Sequence, residues 1–281
     1  MIVVTGANGQ LGSDVVKELE SRNMPVSGIG RSNLDITDKA AVLKYFELHN
    51  PEAVIHCAAY NFVDKAEDDK ENCNLVNIKG TENIALACKK TNAKLMFFST
   101  DYVFNGDKIG EYEVDDRKKP LSFYGQSKSL AEDKITEVLD QFFILRISWL
   151  FGTNGSNFVK TMLKLSETEE NINVVNDQIG SPTYTKDLAK LVCDMIVTEK
   201  FGTYHATNEG FCSWAEFAEK IFEFTGKNTV VNPVNSNDYS SKAKRPLNSK
   251  LSKKSLSNAG FSRLPDWDDA LRRFLKEMEQ L

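Results

Sequence analysis

Thr5-Gly6-Ala7-Asn8-Gly9-Gln10-Leu11-Gly12 follows an apolar run over Ile2 to Thr5 and opens a stretch of helical spacing over Ser13 to Arg22. Gly6, Gly9 and Gly12 are spaced Gly-x-x-Gly-x-x-Gly at the predicted strand-to-helix turn. One glycine permits the tight turn, one lets backbone approach a pyrophosphate, and one lets helix and sheet pack closely, with the helix N-terminus favouring the anion. A glycine triplet alone is a weak signal. Directly after an N-terminal strand and at the head of a helix it points to a dinucleotide site rather than a bare turn.

Outward from that turn, short apolar runs alternate with longer amphipathic stretches. The runs Ile2 to Thr5, Val26 to Ile29, Ala53 to Cys57, Lys94 to Ser99 and Phe142 to Ser148 are predicted strands. Ser13 to Arg22, Asp38 to His49, Asn77 to Lys90 and Tyr124 to Leu139 are predicted helices, with Asp38 as an N-cap and Pro51 closing the segment after it. This order predicts an α/β fold, a Rossmann-type doubly wound parallel sheet. The second half is richer in Asn and has shorter apolar runs; Asn157 to Lys164 and Ser213 to Thr225 look helical, and Asn235 to Lys244 looks like a loop. The expected organisation is a dinucleotide-binding domain over 1–152, with a return segment near 186–205, and a smaller, mainly substrate-binding α/β domain over 153–281. The charged run Asp64 to Glu71 is predicted to be a solvated helix face.

Composition narrows the function. The 281 residues are 41% hydrophobic and 27% charged, as in ordinary globular proteins, and the formal charge of -5 argues against a nucleic-acid partner. Five cysteines without Cys-x-x-Cys spacing indicate neither a disulfide framework nor a zinc site, and His49, His56 and His205 are too scattered to suggest a metal. No signal peptide is recognisable and no apolar run approaches the ~20 residues of a membrane span, so a cytoplasmic protein without membrane partners is expected. A monomer or a homodimer is compatible with the sequence.

The chemistry is carried by Tyr124 and Lys128, about two dozen residues after Ser99-Thr100. Four residues apart at the head of a helix, the two side chains share a face, and the ammonium is expected to draw the phenol from its usual pKa near ~10 toward neutrality. Thr100 would supply a hydroxyl to the same substrate oxygen. The second strand ends Gly28-Ile29-Gly30-Arg31-Ser32, with Asp35 the first acid. Absence of an acid at the strand tip, with Arg31 available for a 2'-phosphate, predicts NADPH over NADH, with NADH the alternative.

These residues resemble the extended short-chain dehydrogenase/reductase family, and within it the dTDP-4-dehydrorhamnose reductase branch, over nearly the whole chain. The resemblance lies in Thr5 to Gly12, Cys57 to Tyr60, Val63 to Glu67, Ser99 to Phe104, Tyr124 to Lys128 and Ser148 to Gly152. It continues through Asn157 to Met162, Asn176 to Thr183 and Arg245 to Ser249. It implies Tyr124 as proton donor, Lys128 as its partner and a ligand of the nicotinamide ribose, and Thr100 as the hydroxyl that tunes the tyrosine. Gly9, Gln10 and Leu11 would meet the pyrophosphate, Asp35 and Ile36 the adenine end, and Ala59 and Tyr60 the cofactor. Asp101, Tyr102 and Trp149 would contact the sugar nucleotide, with Arg245 a cation near its diphosphate. Asn61 stands where these reductases often carry threonine. The implied reaction is NAD(P)H-dependent reduction of the 4-keto group of dTDP-4-dehydro-L-rhamnose, a dTDP-4-keto-6-deoxy-L-sugar, to dTDP-L-rhamnose.

Bland alternatives remain for single residues: Trp149 as core, Tyr102 as packing, Asp177 as a turn residue. Two other functions share the motifs. An epimerase or dehydratase of the same family would retain NAD, and such dehydratases typically carry an acidic pair where this chain has Asp101-Tyr102. A non-catalytic regulatory subunit, similar to the methionine adenosyltransferase beta subunit, is made less attractive by the intact Thr100, Tyr124 and Lys128.

Overall fold

The computed structural model describes residues 1–238 and 241–279. The chain runs β1 (Ile2–Thr5), α1 (Gln10–Ser21), β2 (Val26–Ile29), α2 (Lys39–His49), β3 (Ala53–His56), α3 (Lys70–Asn74), α4 (Thr81–Thr91), β4 (Lys94–Thr100), α5 (Phe123–Val138) and β5 (Phe142–Ile147). It continues β6 (Leu150–Phe151), α6 (Phe158–Leu165), β7 (Asn171–Val175), β8 (Ile179–Gly180), β9 (Thr183–Tyr184), α7 (Thr185–Ile196), β10 (Gly202–His205), β11 (Cys212–Ser213), α8 (Trp214–Thr225), β12 (Val230–Val234), α9 (Lys254–Asn258) and α10 (Trp267–Glu277).

Six parallel strands form the main sheet in the order β10-β5-β4-β3-β1-β2. Strand periodicity divides its apolar side chains between two faces. Ile2, Val4, Met96 and Phe98 pack with α1 and α7. Val3, Val54, Leu95 and Phe97 pack with α2, α4 and α5. Because α1 carries the chain to β2 on one side of β1 while β3 lies on the other, a crevice opens beyond the C-terminal ends of β1 and β3. Residues 185–205 rejoin this sheet, with α7 against α1 and β10 paired to β5. A separate core contains Phe151, Val159, Phe217 and Phe274 from β6, α6, α8 and α10.

The Asp38 carboxylate caps α2 by accepting from Ala41 N at 3.0 Å, as its position predicts. The helix expected over 77–90 starts instead as a π-helical turn, Leu75–Gly80, before α4. The charged run 64–71 is not one solvated helix. It breaks into a 3-10 turn at Lys65–Glu67 and the start of α3, because its acids have specific partners. Asp64 pairs with Arg245, Glu67 accepts from Phe123 N, and Asp69 accepts from the Tyr60 hydroxyl. In the loop expected over 235–244, Ser236–Asp238 form a 3-10 turn, and residues 239 and 240 lie outside the described residues. Among the described residues no helix is long and apolar enough to cross a membrane.

Candidate active site

The glycine turn is shaped by contacts that exclude side chains. Gly6 has φ +64°, and a Cβ there would meet Ala58 N at 2.7 Å. A Cβ at Gly12 would meet Gly6 O at 2.3 Å, so α1 lies directly on the turn. Gly9 is the N-cap of α1 and no side chain caps it. The first-turn N–H groups therefore lack intrahelical partners beside a cavity wall made by Gly9, Gln10 and Leu11. That arrangement fits a pyrophosphate. The Gln10 side chain itself is committed elsewhere, donating to Leu150 O at 3.2 Å and accepting from Asn157 Nδ2 at 2.8 Å.

Two cavities meet at this turn, both lined by Gly6, Gly9, Cys57, Ala59 and Asn61. One, of about 550 Å³, runs over the tip of β2 and includes Arg31, Asp35, Ile36 and Tyr60. The Arg31 side chain is 85% exposed, and its Nε lies 3.4 Å from Asp35 Oδ2. Hydrogen bonds from Thr37, at 2.7 Å from its hydroxyl and 3.0 Å from its amide, hold the Asp35 carboxyl below the usual aspartate range. The other cavity, of about 450 Å³, runs toward the second core and contains Thr100, Asp101, Tyr102, Tyr124, Lys128 and Trp149.

Tyr124 reaches this cavity because Ser122 caps α5, accepting from Gly125 N at 3.2 Å, and so fixes where the helix begins. Thr100 ends β4; its hydroxyl donates to Asp101 Oδ1 at 2.9 Å, accepts from Tyr102 N at 3.2 Å and lines the same cavity as Tyr124. Tyr102 meets the Tyr124 ring edge-on with centroids 6.0 Å apart. The expected drop in the tyrosine pKa is not found. Burial, followed by the Asp101 charge, pushes the Tyr124 phenol above its ordinary value. Lys128 is buried, with Nζ 3.9 Å from the Phe97 ring centroid, and burial brings its pKa down to about 7. Asp101 is also buried, which raises its carboxyl to about 6.

Trp149 lies on the cavity wall with φ +47°, a conformation non-glycine residues rarely adopt. Its indole stacks on Trp214 with centroids 3.7 Å apart. Arg245 does not line the Tyr124 cavity; it lines a third, of about 210 Å³, with Trp214, Phe158 and Gln178. It is not a free cation, since Asp64 takes both ends of its guanidinium at 2.6 and 3.2 Å and Tyr102 shares it. Asp177 accepts from Ser236 N at 3.0 Å, fastening the loop beside that third cavity.

Sequence reading missed Asn77, Asp64 and Trp214. Buried Asn77 accepts from Tyr60 N at 2.8 Å and donates to Tyr60 O at 3.1 Å and Ser127 Oγ at 2.9 Å, so one amide ties the loop after β3 to α5. Its only sequence signal is an Asn inside a predicted amphipathic helix, where a polar residue on the inward face needs partners.

A doubly wound parallel sheet, a helix N-terminus beside a long crevice, and hydroxyl and amine side chains converging beyond it define a nicotinamide-dependent oxidoreductase. Residues 1–280 match the family described as RmlD substrate binding domain, and the chain belongs to that family. It is 40% identical over 276 residues to the spore coat polysaccharide biosynthesis protein SpsK of Bacillus subtilis (strain 168), covering 98% of this chain and 97% of that protein. It is 38% identical over 284 residues to a dTDP-4-dehydrorhamnose reductase from Aggregatibacter actinomycetemcomitans, covering 96% and 97%. The crystal structure of a Bacillus anthracis str. Ames dTDP-4-dehydrorhamnose reductase in complex with NADP superposes with TM-score 0.96 at 40% identity, covering 98% of each chain.

Proposed function

We propose that the protein reduces the 4-keto group of dTDP-4-dehydro-L-rhamnose with NADPH, giving dTDP-L-rhamnose, in the cytoplasm. The observation that carries this reading is the convergence of Thr100, Tyr124 and Lys128 on a cavity continuous with the glycine turn. In it, residues 1–152 with the returning 185–205 segment hold the dinucleotide, and the remainder of 153–281 holds the sugar nucleotide.

When bound, the nicotinamide supplies the hydride for the sugar carbonyl carbon. The chain supplies the rest. Gly9, Gln10 and Leu11 receive the pyrophosphate at the helix N-terminus, and Arg31 and the 57–61 loop enclose the adenosine half. Tyr124, kept protonated by burial, gives its proton to the oxygen as negative charge develops. As the phenolate forms, Thr100 turns its hydroxyl proton from Asp101 to that oxygen, while the Lys128 ammonium offsets its charge. Trp149 and Tyr102 bound the sugar, and Arg245, fixed by Asp64, faces the nucleotide side.

The direct test is NADPH oxidation with dTDP-4-keto-6-deoxyglucose and a supplied 3,5-epimerase. Epimerase-dependent oxidation yielding dTDP-L-rhamnose is the expected result; tightly retained NAD without net oxidation would favour an epimerase or dehydratase. For the cofactor, Arg31→Glu is expected to raise the KM for NADPH by roughly tenfold or more while changing that for NADH little. Equal effects on both would remove Arg31 as the reader of the 2'-phosphate.

A further inference from the structure

We infer that Glu132 is a positioning residue for this reduction: held by Arg146, it supplies the buried counter-charge for the Lys128 ammonium from one turn along the same helix. The inference rests on the reading of Lys128 as the charge that serves Tyr124.

Lys128 and Glu132 are four residues apart on α5, on one helical face, and both are buried, with relative exposures of 2% and 3%. The Lys128 ammonium, packed on the Phe97 ring, forms no ion pair among the described residues. The titratable groups that act on it are His56 from β3, Cys57 just beyond, Cys73 from α3, and Glu132 from its own helix, while Tyr124 shares its cavity. Burial keeps His56 neutral and holds both thiols protonated, leaving Glu132 as the carboxylate whose charge acts on the lysine.

Glu132 cannot rotate away from that role. Arg146 Nε donates to Oε1 at 3.0 Å and Nη2 to Oε2 at 2.8 Å, and Lys118 Nζ lies 3.3 Å from Oε2. Burial works against its charge, but Arg146 and Lys118 keep it below the ordinary glutamate range. Arg146 is fixed in turn on Val114 O at 2.9 Å and beside His205 at 3.5 Å.

The test is an NMR titration of lysine-labelled protein, with the Lys128 signal assigned from Lys128→Arg. Glu132→Gln is expected to lower the Lys128 pKa by about two pH units, the scale of one charge about a helical turn away at an effective dielectric near 20. Arg146→Met, which removes the cation that keeps Glu132 ionised, should lower it too, and Glu132→Asp should stay near wild type. The alkaline limb of kcat, lost as Lys128 deprotonates, should move with these values. Loosened packing would lower it in Glu132→Asp as well, so a parallel shift there, or no shift in Glu132→Gln, overturns the inference. If Glu132→Gln fails to fold, an upward or absent shift in Arg146→Met overturns it. Expected shifts in a wild type that oxidises no NADPH would support the coupling and count against the reduction instead.

Discussion

The Tyr124 phenol, half-buried beside Thr100 and Asp101, stays protonated and so enters a reduction as the acid, because both desolvation and the neighbouring charge disfavour its anion. Tyr124→Phe should therefore lower kcat by roughly a hundredfold or more, with the Kd for NADPH little changed. Stopped-flow reduction and fluorescence titration would check the two halves, and an unimpaired variant would remove Tyr124 from the chemistry. The buried histidines make a different prediction. Burial takes His205 from 6.5 to about 3, so the unfolded chain binds a proton that the folded protein refuses. Its contribution is complete above 6.5 and is lost as pH falls toward 3, with a slope of up to about 1.4 kcal/mol per pH unit. Urea unfolding of His205→Gln should show lower stability at neutral pH but a shallower decline through that window than wild type.

At the scale of elements, the turn between β1 and α1 is the least forgiving segment. Gly12→Ala places a carbon 2.3 Å from Gly6 O, and since the obstacle is backbone, α1 must move away from the crevice. NADPH affinity measured by fluorescence should fall at least roughly tenfold, with a lower Tm. This turn was legible because strand, glycines and helix are contiguous, and α5 was legible from its local Tyr-Lys spacing, although its Ser122 cap was not read. The five apolar runs of the first half correspond to β1 through β5. What could not be read was made by distant partners. Asp64 finds Arg245 across 181 positions and Asn77 finds Ser127 across 50, and neither spacing leaves a periodic trace. The direction of the Tyr124 pKa escaped for the same reason. Helical spacing put Lys128 on the correct face, but the Asp101 charge and the degree of burial belong to the folded environment.

For the whole molecule, the decisive feature is that the edge of the main sheet beside β5 is completed by β10, whose residues follow almost all of α6 through α7 in the chain. A fragment ending at residue 152 would lack α7, which contributes to the core against α1, and would leave β5 as a bare apolar edge. Such a fragment should aggregate or fail to bind NADPH, whereas one extended through residue 205 should be markedly more soluble; size-exclusion chromatography of the two would decide. The same connection sets a timetable during synthesis. A nascent chain emerging from the ribosome has its glycine turn and Tyr124 early, yet it cannot seal the sheet until Gly202–His205 has emerged. For that interval the half-made protein carries an open strand edge, and its yield in the cell depends on how quickly translation crosses the stretch between β5 and β10.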